Sequence, residues 1–125
     1  MSDQWDNLFR ILAAEPRRAL LFALCEAPED TWVRLPEAAH SRQYRGTEAH
    51  LTIALQHNHL PQLVSMDYID WKEDPFVATH GPRFKEISVI LGAIDQIQDQ
   101  LPSRLIDTYE WGCGNSILEH NKKEF

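Results

Sequence analysis

Apolar residues recur at helical spacing at the start of the chain. One such set follows steps of three, one and three residues: Trp5, Leu8, Phe9 and Leu12. This spacing predicts an amphipathic helix from Asp3 to Ala14, which ends because Pro16 disfavours helical backbone at the residue before it. A second helix is predicted to begin at Pro16, a residue suited to a first helical turn, and to end before Pro28.

The middle of the chain predicts short elements followed by a long helix. Residues 31–34 indicate a small strand, residues 35–40 a short helix and residues 41–46 a polar turn. The next helix is predicted to begin after Thr47, whose hydroxyl suits an N-cap, and to continue to about Met66. Pro61 lies inside it and lacks a backbone donor, so we expect a bend there.

Two aromatic and β-branched runs, residues 67–71 and 76–79, flank a charged turn with a proline and predict a β-hairpin. A long helix is predicted from Pro82 to Leu101. Its apolar residues follow nearly heptad steps: Phe84, Ile87, Leu91, Ile94, Ile97 and Leu101. They either pack on their own domain or form a homodimer interface; five helical turns exceed what so small a domain covers internally, which favours the dimer.

Composition places the chain among ordinary globular proteins. Its 125 residues are 43% hydrophobic and 25% charged, which suits one domain. We assign residues 1–101 to that domain and give residues 102–125 no role. The opening residues lack the pattern of a secretory signal and no apolar run is long enough for a membrane span, so we expect a soluble cytoplasmic protein without membrane contact. The two cysteines, Cys25 and Cys113, have no zinc or redox spacing.

Charge is unevenly distributed along the chain. The net charge is −7, but residues 34–62 hold three arginines against two glutamates, a local +1 that leaves −8 for the remainder. Four of the six histidines also lie there: His40, His50, His57 and His59. An acidic domain repels nucleic acid unless its charge is uneven, so this region is the predicted surface for a polyanion.

Two motifs resemble a known family. Glu15-Pro16-Arg17-Arg18 opens the second helix, and His57-Asn58-His59-Leu60-Pro61-Gln62-Leu63 precedes the hairpin. Over residues 8–80 they resemble a small winged helix-turn-helix domain of unassigned function that is widespread in haloarchaeal proteins, and more distantly the ArsR and PadR-like transcriptional regulators. The resemblance implies a mainly α fold with a small β-hairpin wing and, with the predicted final helix, a long C-terminal dimerisation helix. The chain departs from the family at residues 66–68, where a glycine-containing turn is common.

In a winged helix-turn-helix protein, the helix after the turn enters the major groove. We expect Arg42 and Arg45 to reach phosphates or guanine. The helix itself should present Thr47, Glu48, His50, Thr52 and Gln56, of which glutamine can pair with adenine and threonine can touch thymine or phosphate. Lys72 is the basic residue available to a wing, although its neighbours Glu73 and Asp74 repel phosphate. The alternative is a solvated polar face.

Other chemistry is not expected from this sequence. His57-Asn58-His59 spells a nuclease motif, but such nucleases disperse those residues over a metal site, so we do not predict an enzyme. On a helix, two histidines two residues apart point in different directions and do not chelate one ion alone. Metal sensing would need further ligands, such as His40, His50 or His80, across a dimer, and packed histidines are the favoured interpretation. No cofactor is predicted.

Arg17 and Arg18 pose a separate problem. They lie in the first turn of the second helix, where positive charge is unfavourable because the helix dipole is positive there. We expect compensation by an ion pair with Glu15 or an acidic tail, or else by contact with phosphate.

The resulting expectation is a homodimeric transcriptional regulator that binds a palindromic site in double-stranded DNA. Acidity and the resemblance both favour a halophilic archaeon, whose molar salt would shorten the Debye length to about 3 Å. Base contacts and DNA shape would then supply specificity, with cations between acidic side chains and phosphates. The competing class is an acidic winged-helix module that binds another protein through its helical seam and does not bind DNA.

Overall fold

A computed structural model describes residues 3–108, with side chains to residue 105. These residues form a mainly helical fold with a small three-stranded antiparallel sheet. The helices are α1 (Asp3–Leu12), α2 (Glu15–Glu26), α3 (Glu48–Ala54), α4 (Leu60–Ser65), α5 (Phe84–Gln96) and α6 (Ser103–Thr108), and the strands are β1 (Val33–Arg34), β2 (Ile69–Lys72) and β3 (Val77–His80). A π-helical turn, Leu55–His59, joins α3 to α4.

The predicted helix before the polar turn is only a short 3₁₀ turn, Glu37–Ala39. The amides of Ala39 and His40 donate to the carbonyls of Pro36 and Glu37, three residues back in each case. Leu35 and Ala39 are buried against the rest of the core. The predicted short helix is therefore present as a single 3₁₀ turn between the buried Leu35 and Ala39.

The hydrophobic core is formed between α1, α2, the α3–α4 helix, the sheet and α5. Its largest fully buried side chains are Tyr68, Phe22, Ile11, Leu20, Leu21, Leu24, Leu51, Leu55, Leu60, Leu63, Ile69 and Ile87. Phe84 and Leu91 belong to the same core. The assignment of Phe84, Ile87 and Leu91 to a dimer interface is therefore wrong, because these side chains are already covered by their own chain.

The predicted hairpin is confirmed. β2 and β3 pair antiparallel, with Ile69 opposite His80 and Lys72 opposite Val77. The two-residue strand β1 adds to the other edge of β3, so that the strand order is β1-β3-β2. Trp71 and Phe76 meet edge to face across the hairpin, with ring centroids 5.9 Å apart, an arrangement that aromatic pairs favour.

The turn between α4 and β2 uses left-handed backbone at Asp67, whose φ is 63°. The amides of Asp67 and Tyr68 donate to the carbonyls of Val64 and Leu63, at 2.8 and 3.1 Å. This pair of bonds is the Schellman arrangement that ends many helices, normally with glycine at the left-handed position. Asp67 thus occupies the conformation of a glycine turn without being a glycine.

Gly81 connects the hairpin to α5. Its amide donates to the Tyr68 carbonyl at 2.9 Å. A Cβ built at Gly81 would lie 2.6 Å from the Ile69 amide nitrogen and 2.7 Å from the Asp67 carbonyl oxygen. Because both neighbours are backbone atoms, only glycine fits this close approach.

The last long helix is shorter than predicted. α5 ends at Gln96, and a 3₁₀ turn, Gln98–Gln100, follows it. The Gln98 side chain donates to the Asp95 carbonyl and carboxylate at 3.1 and 3.0 Å, and Leu101 is extended before Pro102. A proline disfavours helical backbone at the residue before it, which accounts for the extended Leu101 but not for the end of α5 at Gln96.

Asp95 is a buried carboxyl at this helix end. Burial raises its pKa, and the nearby charge of Glu26 raises it further.

Within residues 3–108, no helix is long and apolar enough to cross a membrane. Cys113 and the rest of residues 109–125 lie outside the described part of the chain.

Replacing Asp67 with glycine should stabilise the protein. A left-handed backbone costs a non-glycine residue about 1 kcal/mol, so we expect Asp67→Gly to raise the free energy of unfolding by about 0.5 to 1 kcal/mol. Urea unfolding followed by circular dichroism measures this change. Asp67→Ala is the matched control, because it removes the same carboxylate but keeps the strain, and an equal gain in both variants would contradict the explanation.

Candidate nucleic-acid interface

The helix that sequence predicted from Thr47 to Met66 is present as three consecutive segments, α3, the π turn and α4. The Thr47 hydroxyl caps it by accepting from the His50 amide at 3.0 Å. Thr47 therefore already serves the fold, although its own hydroxyl proton remains available as a donor.

The irregularity in this helix precedes the proline. The Leu60 amide donates to the Leu55 carbonyl, five residues back, which is the π-helical bond. Pro61 has no amide proton, and in a regular helix its ring would collide with the carbonyl four residues back. The wider turn gives that carbonyl room, and the backbone stays helical at Ala54, His59 and Leu60. The disturbance of the helix that was expected at Pro61 is therefore spread over the π-helical turn that precedes it.

The outward face of α3 differs in part from the predicted one. His50 is exposed as expected, but Thr52 and Gln56 are half-buried. The centre of the exposed face is formed by Ala49 and Ile53, with Ile53 56% exposed. Both residues lie opposite the buried Leu51 and Leu55 on the helix, so the helical period of the leucines indicates that they face outward.

A cleft lies between the start of α2 and the loop before α3. Its volume is about 560 Å³, and it is lined by Glu15, Arg42, Gln43, Tyr44 and Arg45. The loop is shaped by the Ser41 hydroxyl, which accepts from the Gln43 amide at 3.2 Å. The structure therefore brings Arg42 and Arg45 to one cleft near the N-terminal end of α3, but it also brings a carboxylate to them.

Lys72, at the end of β2, is placed against an aromatic ring. Its ammonium nitrogen lies 4.5 Å from the ring centroid of Trp32. Such a cation–π contact is worth about 0.5 to 1 kcal/mol at an exposed site. Lys72 is exposed, but reaching a phosphate would require it to leave Trp32.

Among the described residues, Arg17 and Arg18 bond backbone oxygens and not the Glu15 carboxylate that was one expected partner; the acidic tail lies outside the described part of the chain. The Arg17 guanidinium donates to the carbonyls of Arg10 and Ile11 at 2.8 and 2.9 Å, and that of Arg18 donates to the Leu12 carbonyl at 2.7 Å. These carbonyls belong to the last turn of α1, the negative end of its dipole. The two arginines therefore cap the preceding helix. Backbone carbonyl oxygens of α1 accept hydrogen bonds from their guanidinium groups, where a carboxylate was expected to balance the positive charge.

Arg17 also reaches the π turn. One guanidinium nitrogen lies 2.8 Å from His59 Nδ1, and both side chains are buried. Because a guanidinium can only donate, Nδ1 must accept, so the proton of the neutral ring is on Nε2. Burial and the charge of Arg17 lower the pKa of His59 from 6.5 to about 4. His59 is therefore a neutral structural histidine and not part of the outward face.

The other histidines are dispersed. His57 is exposed, and His80 bonds to the Leu24 carbonyl at 2.6 Å while stacking on Phe84. Among residues 3–105, no three His, Cys, Asp or Glu side chains are grouped as metal ligands would be.

Comparison of the chain with protein-family models, with curated proteins and with solved structures finds no match. The haloarchaeal resemblance stays a prediction, and the case for a function depends on the residues described above.

Protonation of His59 should destabilise the fold in acid. Its folded pKa of about 4 lies below the ordinary 6.5, so the unfolded chain binds more protons between these values. The contribution of the neutral His59 ring to the free energy of unfolding is complete above pH 6.5. About 2 to 3 kcal/mol of it is lost as the pH falls towards 4. Urea unfolding across this range should show a shallower loss for His59→Gln, whose amide oxygen can still accept from Arg17.

The matched control is His57→Gln, at an exposed position two residues away. We expect it to follow the unmodified protein at every pH. The same acid response in His59→Gln and the unmodified protein would refute the assignment of this response to the buried histidine.

Proposed function

We propose that the protein is a sequence-specific double-stranded DNA-binding transcriptional regulator that acts as a homodimer on a palindromic site. In this proposal the fold is a winged helix-turn-helix, α3 is the recognition helix and the β2–β3 hairpin is the wing. The element order supports it: two helices, a short strand, a turn, a capped helix, a hairpin and a further helix.

The observation that carries the proposal is the surface at the start of α3. Its outward face is not used in the core, and two exposed arginines lie just before its first residue. A recognition helix needs this combination, because phosphate contacts fix its position and the outward side chains touch base edges. Arg42 and Arg45 would bind phosphates, and Ile53 would meet a thymine methyl.

The polar residues give this face its hydrogen-bonding capacity. His50 is exposed beside Ala49, and Gln56 is half-buried one turn beyond Ile53. Both side chains can bond base edges in the major groove. Thr52, also half-buried, is placed towards the core side of this helix and would contact the sugar-phosphate backbone at most.

A second candidate is binding to another protein, the alternative that the acidic composition raised. It is favoured by two observations: Lys72 already contacts Trp32, and the centre of the α3 face is the apolar Ile53. An apolar centre with a polar rim is also typical of protein interfaces. DNA binding requires Arg42 and Arg45, whereas a protein interface centred on Ile53 does not. Replacing the two arginines therefore distinguishes the two candidates.

The test of DNA binding is selection from a random duplex library, followed by titration of the selected sites between about 0.1 and 3 M potassium chloride. The Arg42→Ala/Arg45→Ala variant should bind at least about 10-fold more weakly at the lowest salt and lose about two units of salt dependence, one for each phosphate contact. Ile53→Ala should change the selected sequence at a thymine.

Glu15→Gln is the matched variant in the same cleft. It removes the carboxylate that faces the arginines, so affinity for DNA should rise where that of the arginine variant falls. Selection of no sequence at any salt, with both variants behaving like the unmodified protein, would reject DNA binding and favour the protein-interaction candidate.

A further inference from the structure

Tyr44, in the loop before α3, is a half-buried residue that is held at both its backbone and its ring. The ring packs against the hydrophobic core. It also meets the imidazole of His40 edge to face, with ring centroids 5.7 Å apart. The Tyr44 amide donates to the Ser41 carbonyl at 3.2 Å, and Ser41 is itself buried. The position of the Tyr44 side chain is therefore fixed before any ligand binds.

The hydroxyl of this side chain is not used by the fold. It bonds no other group among residues 3–105. Every buried side-chain nitrogen and oxygen in the described part of the chain has a hydrogen-bond partner, so an unbonded hydroxyl must reach solvent. Tyr44 lines the cleft at the start of α3 together with Arg42 and Arg45. A phenolic hydroxyl can donate one hydrogen bond, and this donor is presented to whatever enters the cleft.

Gly46 leaves the space that the end of the Tyr44 ring occupies. A Cβ built at Gly46 would lie 2.7 Å from Tyr44 Oη and 2.9 Å from Tyr44 Cε2 and Cζ. Gly46 has no positive φ, so its backbone conformation is open to other residues. The reason for a glycine is therefore the tyrosine, since a larger residue would push the hydroxyl end of the ring away.

The residues that share the cleft indicate which acceptor the hydroxyl would meet. Arg42 and Arg45 line the cleft, and a pair of guanidinium groups attracts anions. Tyrosine hydroxyls are among the groups that bond phosphate oxygens in protein–DNA complexes. Glu15 lines the same cleft and is half-buried, so its carboxylate is the competing acceptor within the protein.

We propose that the Tyr44 hydroxyl donates a hydrogen bond to a phosphate oxygen of duplex DNA, as the uncharged member of a contact that also contains Arg42 and Arg45. Gly46 is a positioning residue, which acts through the ring of Tyr44. This inference rests on the proposed function, because it adds a residue to the same interface.

Tyr44→Phe tests the hydroxyl, because it keeps the ring. With the duplex selected from the random library, the dissociation constant should rise about 10-fold at every salt concentration. The dependence of affinity on salt should stay unchanged, because an uncharged donor releases no counterion, whereas each arginine that contacts a phosphate accounts for about one unit. Titration of the full chain between about 0.1 and 3 M potassium chloride measures both quantities.

Tyr68→Phe is the matched control. It removes a tyrosine hydroxyl that donates to Glu86 at 3.5 Å and does not line the cleft. It should leave both the affinity for the duplex and its salt dependence unchanged. Circular dichroism should show the same helical content in both phenylalanine variants and the unmodified protein.

Two further measurements identify the acceptor. Single methylphosphonate substitutions remove one phosphate charge at a time, and at one phosphate the loss of affinity should be smaller for Tyr44→Phe than for the unmodified protein. In a Glu15→Gln background, Tyr44→Phe should still weaken binding about 10-fold. Disappearance of the loss in that background would assign the hydroxyl to Glu15 and overturn the phosphate contact.

Gly46→Ala tests the positioning of the ring. The added methyl group should displace the hydroxyl and weaken binding about 10-fold when residue 44 is tyrosine, but by less than about 3-fold in the Tyr44→Phe background. Equal losses in both backgrounds would show that the methyl group disturbs the loop and not the hydroxyl, and would overturn the role of Gly46.

The failure of this inference and the failure of the proposed function give different results. Tyr44→Phe that binds the selected duplex like the unmodified protein would overturn the inference alone, and so would a variant whose salt dependence falls by about one unit, as for the loss of an arginine. Selection of no duplex by the folded, unmodified protein would overturn both.

Discussion

The guanidinium of Arg17 is the contact on which the arrangement of the helices depends. It accepts nothing and donates in three directions, to two carbonyls at the end of α1 and to the imidazole of His59 in the π turn. A buried charge without a partner is costly, so all three acceptors must be in place at once. The side chain of one α2 residue thereby fixes where α1 ends and where the α3–α4 helix lies.

This contact also explains why the irregular turn can be tolerated. A proline inside a helix removes one hydrogen bond and displaces a carbonyl, which would leave the helix free to bend in several ways. Here His59 is drawn inward to Arg17 and Leu60 is fully buried beside it. Both anchored side chains lie at the C-terminal end of the wider turn, where they fix the direction in which α4 continues from α3.

Sequence predicted the features whose cause is local. The hairpin, the start of α2 at Pro16 and the cap at Thr47 each follow from neighbouring residues, and all are present. It did not predict the role of Arg17, because its acceptors are backbone oxygens whose positions exist only after α1 and α2 have packed. It also placed Phe84, Ile87 and Leu91 at an interface, because an apolar stripe does not reveal whether its own chain or another covers it. On α3 it favoured polar Thr52 over Ile53, although the periodicity of the buried leucines places Ile53 outside.

The acidity of the chain has a different meaning once the surfaces are located. In a domain this small every long helix gives one side to the core, so the proposed DNA contact would use the outward side of α3. Residues 34–62 carry +1 and the remainder −8. Under the proposed function, duplex DNA would be repelled least where it approaches the segment that contains the loop and α3, and in molar salt this bias shrinks to contacts within about 3 Å. Summed over the chain, the net charge argues against nucleic-acid binding; distributed in this way, it would favour a single orientation of the protein on DNA under the proposed function.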